Sequence, residues 1–282
     1  MDITVVIVCG YDSRVLDCIS SVDVPVPIVV SLVPGSNLER VLRDKGVEVV
    51  ISGAIGNYSV SCNYGLAAVK TSQAMIVDSD CVLEKGCIER IATILEEYPL
   101  ARAAISFQFS PNVIASQWTA RLRDGVNNRQ PAPAYTPGLG MRLSIVKQIG
   151  GYFLDERIFW GGDSEFSHRV ERAGLSVGYD SQAIVHHAPI SLWHELHSGY
   201  KFGKGSCIQS YLGLRPAYES PPRLMRSLLS RVRRRNHGFS KDKPWQLELL
   251  HASWWFAYYA GYYATAISPR SSLSVSTMDT KR

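Results

Sequence analysis

Short β-branched runs alternate with helix-period segments through the first third of this chain, and that alternation leaves few architectures open. Apolar runs at 3–9, 28–32, 47–51 and 74–77 are each followed by a segment of helical spacing, at 13–22, 37–45, 60–70 and 85–98. This strand–helix repeat predicts an α/β fold, a mostly parallel sheet flanked by helices. Ligands gather in such sheets at the carboxyl ends of the strands. The chain is long enough to bury that core: 282 residues, 46% of them hydrophobic.

At the end of the fourth run stands AMIVDSDCVLEKG, which places Asp78 and Asp80 one residue apart at a strand mouth. Like charges that close repel, so a positive partner belongs between them. Asp and Ser are also ordinary turn formers, and the triplet alone does not decide between turn and ligand.

After residue 110 the pattern loosens. Residues 110–137 combine a helix-like stretch with a Pro-rich loop of the length that serves lids and binding elements. GLGMRLSIVKQIGGYF then reads as a strand and a helix ending in a glycine pair. In ERIFWGGDSEFSHRVERAG, Asp163 reads as a helix N-cap, with Glu165 and Arg169 four apart and able to pair. AIVHHAP is strand-like and sends His186 and His187 to opposite faces.

Composition excludes several classes. A net charge of +5 is low for a general nucleic-acid binder. Six cysteines, at 9, 18, 62, 81, 87 and 207, form no CxxC pair and have no zinc spacing, as expected of free thiols in a reducing cytoplasm. The opening MDITVVIVCG carries an acid where a signal peptide carries bases, and reads as a buried strand.

Taken in order, these segments resemble the family-2 glycosyltransferases of the GT-A fold over roughly residues 3–205. The first strand and VCGYDSRVLDCISSV match the family's opening strand, loop and helix. SVSCNYGLAAVKTSQAMIVDSD is similar to its Asn-x-Gly helix leading into the DxD strand, with Asn63 and Gly65 in place. QIGGYFLDERIFWGGDSEFSHRV resembles the "GGF-D-E…ED…R" block through Asp155, Glu156, Asp163 and Arg169, and AIVHHAPISLW and YKFGKG echo the segments that follow. The resemblance implies an inverting, metal-dependent transferase that moves a sugar from a nucleotide-diphosphate sugar to a hydroxyl acceptor of a glycan or lipid-linked chain. By carry-over, Mn²⁺ or Mg²⁺ is held by Asp80 with His186 or His187, His186 being preferred. The donor lies against Cys9, Tyr11, Asn63, Asp78, Ser79 and Lys204. Asp163 is the general base, and Trp160, Gly161 and Gly162 line the acceptor or sugar pocket, with a core role for Trp160 equally open. Tyr200, Lys201 and Lys204 either approach the diphosphate or form a solvated basic turn.

Three positions depart from the family. Gly162 replaces the acid that commonly precedes the base. Cys62 stands where relatives often have Arg. PIVVSLVPGSN offers Ser31, Leu32 and Val33 where an acid usually reads the nucleotide base. A non-catalytic nucleotide-sugar-binding relative and a sugar nucleotidyltransferase are the competing readings; the latter lacks its Gly-rich basic loop after the first strand.

The sequence divides into a catalytic domain at 1–205, a helical extension at 206–268 and a disordered tail at 269–282. Residues 223–235 put Leu224, Met225, Leu228, Leu229 and Val232 on one helix face amid six arginines, a pattern suited either to an anionic membrane surface or to docking on the core. The uncharged, aromatic 252–268 reads as an interface anchor or a homo-oligomer contact.

Overall fold

The computed structural model describes residues 1–215 and 245–267. The basic segment 223–235 and the tail 269–282 therefore lie outside the described residues.

β1 (Ile3–Cys9), β2 (Ile28–Leu32), β3 (Glu48–Ile51) and β4 (Gln73–Asp78) pair in parallel. They form half of an eight-stranded sheet ordered β3-β2-β1-β4-β7-β6-β8-β5. In the other half, β7 (Leu139–Arg142) runs antiparallel to both β4 and β6 (Leu100–Phe107). β8 (Val177–His187) is parallel to β6 and antiparallel to the three-residue β5 (Cys81–Leu83). The register of β6 on β8 shifts between Ala103 and Ala104, which pair with Asp180 and Ile184, a bulge that re-aims the end of β8.

Alternation along β1 explains why the sheet has two cores. Ile3, Val5, Ile7 and Cys9 face one core, shared with Val15 and Cys18 of α1 (Val15–Ser20), Leu42 of α2 (Glu39–Asp44) and Ile88, Ile91 and Leu95 of α4 (Cys87–Glu97). Val6 faces the other, with Cys62 and Leu66 of α3 (Tyr58–Ala67) and Phe166 and Val170 of α6 (Gly162–Arg172). Both faces being covered, the strand is apolar apart from Thr4, whose buried hydroxyl is satisfied by that of Thr71 at 2.7 Å. Leu143–Lys147, expected as a helix, is one 3₁₀ turn after β7. α5 (Ile114–Asn127) occupies the irregular stretch, and Asn128 just beyond it bonds both the N–H and the C=O of Ile105.

Two long helices complete the described chain, α7 (Leu192–Tyr211) and α8 (Trp245–Ile267). Their backbones touch at glycines: a Cβ on Gly203 would fall 1.8 Å from the Tyr258 carbonyl oxygen, and one on Gly261 2.0 Å from that of Tyr200. α7 runs through residue 205 without interruption, so YKFGKG is the middle of a helix and not a turn. The aromatic wealth of 252–268 goes largely into this contact, where Tyr258, Tyr259 and Tyr262 are buried and Trp254 meets Phe202. Leu249, Phe256 and Ile267 stay exposed. Among the described residues no helix is long and apolar enough to cross a membrane.

Candidate functional site

β2 and β3 lie on one side of β1 and β4 on the other, so the winding reverses between β1 and β4. A crevice opens at such a switch point beyond the strand ends. Val8 pairs with Asp78, and the Ser79 N–H donates to the Val8 carbonyl at 3.0 Å, which puts the loop after β1 beside the DxD triplet. Cys9 is buried and its thiol donates to the carbonyls of Gly10 and Asp12, so it shapes this loop. Tyr11 is exposed, its hydroxyl donating to the Pro34 carbonyl at 3.3 Å.

The two carboxylates differ in surroundings. Burial and then the neighbouring Asp80 charge push the Asp78 carboxyl up to about 6, against the opposing effect of the Tyr58 hydroxyl, which donates to Oδ1 at 2.7 Å. Asp80 faces two positive or protonatable groups. The Arg14 guanidinium, paired with Asp12, comes within 3.8 Å, and His187 Nε2 within 3.6 Å.

β8 settles which histidine meets the DxD. β5 begins one residue after Asp80, and Cys81 pairs directly with His187. His187 is thereby set beside Asp80 and stacks on Phe107 with ring centroids 4.8 Å apart. His186, the preferred ligand on sequence grounds, points to the opposite face and bonds Gln108 and Glu84 at 3.1 and 3.0 Å. His187 Nδ1 lies 2.8 Å from the Ala188 carbonyl, which only accepts. In the neutral ring Nδ1 therefore carries the proton and Nε2 turns a lone pair toward Asp80. Donor atoms of Asp80, Cys81 and His187 all fall within 4.8 Å of one another. A carboxylate and an imidazole lone pair directed at one another fit a divalent cation such as Mn²⁺. Burial, followed by Asp78 and Asp80, holds the Cys81 thiol protonated.

Asp163 stands in the first turn of α6. The cap position belongs to Gly161 at φ +78°, one residue before Gly162, so the N-cap expectation for Asp163 does not hold. Its Oδ1 accepts the Ser164 N–H at 2.8 Å. Burial raises the carboxyl, opposed by that bond, by the Arg102 charge, by the Thr136 backbone and by Arg123. Asp163 in turn raises Asp78, which places the two acids in one electrostatic neighbourhood. Gly162 has a packing reason: a Cβ there would lie 2.3 Å from Ser59 Oγ, whose hydroxyl is committed to the Ile158 carbonyl, so the space beside it is taken.

Other expected site residues have been put to structural use. The Asn63 amide is committed to both backbone groups of Leu154 and to Glu156. Arg169 pairs with Glu165 at 2.7 Å and donates to the carbonyls of Ile149, Tyr152 and Phe153, bracing the GGYF loop. Trp160 sits under α7, with Lys201 Nζ 4.6 Å from its ring and Phe202 edge-on at 6.0 Å, and Lys204 lies over Phe159 at 5.5 Å. Ser31, Leu32 and Val33, where the resemblance leads one to expect a base-reading acid, are all buried.

The sequence reading missed Arg14, Tyr58 and Arg102. Arg14 had a signal in the Asp12-x-Arg14 spacing directly after a strand. Arg102 had one too, a lone charge inside the apolar run LARAAISF.

No family model matches the sequence, and no curated protein matches it. Among solved structures, a crystal structure of S. aureus TarS is similar at TM-score 0.52 and 15% identity, covering 74% of this chain and 44% of that one. A second, of S. aureus TarS 1-349, gives TM-score 0.52 at 13% identity, covering 94% of this chain and 91% of that one. The chain thus spans under half of the first structure and nearly all of the second. The likeness is one of architecture alone, a Rossmann-like mixed sheet flanked by helices.

Proposed function

We propose that this protein is an inverting glycosyltransferase that moves a sugar from a nucleotide-diphosphate sugar to a hydroxyl acceptor in glycan, polysaccharide or glycolipid synthesis. TarS, one of the structural neighbours, is a glycosyltransferase. The observation that carries the reading is the meeting of Asp80 and His187 at the sheet's switch point, with Asp163 acting on the neighbouring Asp78.

Asp80 and His187 would hold Mn²⁺ or Mg²⁺, with Asp78 alongside; bound there, the cation would neutralise charge on the departing diphosphate. Arg14, half-exposed beside Asp80, offers its guanidinium to phosphate oxygens. Asp163 takes the proton of the acceptor hydroxyl as its oxygen bonds to the anomeric carbon. The carbon–oxygen bond to the diphosphate breaks on the opposite face, its electron pair leaving with phosphate.

Thermal melts with nucleoside diphosphates, with and without Mn²⁺, test the reading. One diphosphate should raise Tm only with the cation, and Asp80→Asn should abolish that rise. Product should form from the matching nucleotide sugar. Full activity in excess EDTA, or no diphosphate that binds, would overturn it.

A further inference from the structure

Arg102 is a fully buried arginine in the middle of β6. A charge taken out of water at such depth is costly unless another charge answers it. Its hydrogen-bond partners are both neutral: the Pro137 carbonyl on one side and Asn127 Oδ1, at 3.3 Å, on the other. Its Nε has no partner, and among the described residues no carboxylate lies within ion-pair distance of it. Burial draws the guanidinium down to about 10, and the group that most strongly resists this is Asp163.

Geometry links the two residues. Ala101 and Ala103 face the core on the α1–α4 side, so Arg102 between them faces the α6 side, where Asp163 lies. The carbonyl it anchors belongs to Pro137, and the adjacent Thr136 backbone faces Asp163. Gly138, at φ +77°, leaves the guanidinium its room, since a Cβ there would lie 3.2 Å from Nη1. Arg123, the other cation acting on Asp163, is already paired with buried Glu195 at 2.7 Å.

We propose that Arg102 is a positioning residue for Asp163: by anchoring Pro137 and supplying an unpaired charge behind the cleft, it keeps the Asp163 carboxyl ionised and in place to accept a proton. This deepens the transferase reading and rests on it for the proton's source. The other titratable groups that face Asp163 are Asp78 on β4, whose charge opposes ionisation, and the Cys62 thiol on α3 and the Tyr135 phenol in the loop before β7, both of which burial keeps protonated.

The test uses the full chain and three variants. Arg102→Met removes the charge. Asn127→Asp leaves the arginine but gives it a private counter-charge. Arg102→Lys keeps a positive charge in place. The acidic limb of the kcat/KM–pH profile should move up by roughly 1 pH unit or more in the first two and stay near wild type in the third. In melts at pH 8, Arg102→Met and Asp163→Asn should be non-additive, becoming additive as pH falls and Asp163 takes up its proton. Should Arg102→Met not fold, Asn127→Asp carries both measurements. An unmoved limb with additive melts overturns the proposal. Non-additive melts in a protein that turns over no nucleotide sugar uphold the link between Arg102 and Asp163 while the transferase reading falls.

Discussion

Asp163 is a carboxyl whose raised titration has a sign that can be worked through. Its folded-state value lies above the ordinary 3.8 because burial penalises the charged form. The stability tied to the neutral acid is therefore fully present below the unfolded value and lost as pH rises through the raised one. Asp163→Asn, which cannot ionise, should melt above wild type at pH 7.5, and the gap should close as pH falls toward 4. No cap is lost, since Gly161 holds the cap position. Turnover of the same variant should drop by roughly 10²–10⁴-fold while nucleotide affinity holds, as for loss of a general base. A normal rate in Asp163→Asn would exclude the assignment. The arrangement is not a cost-free one, for stability is given up at neutral pH to keep a base in the cleft.

Glycines do opposite jobs on two helices. Gly203 in α7 faces the backbone of α8 with no room for a methyl group, whereas Gly125 in α5 has open space around its Cβ position. Gly203→Ala should lower stability in urea titrations by about 1–3 kcal/mol through overpacking. Gly125→Ala should raise it by up to ~1 kcal/mol through helix propensity. Equal effects at both sites would refute the close approach of α7 and α8. The same contact explains a misreading. KFGKG looks like a turn because glycine is a poor helix former, yet tertiary packing rewards the missing side chain and keeps α7 straight through Gly203 and Gly205. Strands buried on both faces were plain from sequence: β1 and β2 match their apolar runs residue for residue. β6 was not assigned, its pattern broken by Arg102. β5, three residues long, has no periodicity to find, and without it nothing in VHH says which histidine meets Asp80. The DxD pair draws notice through its own local spacing, and Asp163 only through the family resemblance, since its neighbours alone read as a helix cap; the groups that act on them, Arg14, Tyr58 and Arg102, come from elements distant in the chain.

The parallel half of the sheet presents its strand ends to the crevice, and the antiparallel half brings His187 back to the same edge. The helical pair is joined to this frame at Gly205, where a Cβ would fall 1.9 Å from the Trp160 carbonyl oxygen. A chain ended after residue 205 would stop within α7 and uncover Phe202, whose partner Trp254 is on α8. We expect that shortened chain to melt well below the full protein and to self-associate in sedimentation, since the face it exposes is apolar. A monomer of unchanged Tm would show instead that residues 1–205 stand alone. All six cysteines, from Cys9 to Cys207, are free and buried, and they are spread over both halves of the sheet and over α1, α3, α4 and α7. Each thiol is thus a shuttered chemical clock: an alkylating reagent can reach it only when its own region opens. The molecule carries, without any added label, a set of timers that separate the breathing of the crevice from the opening of the whole.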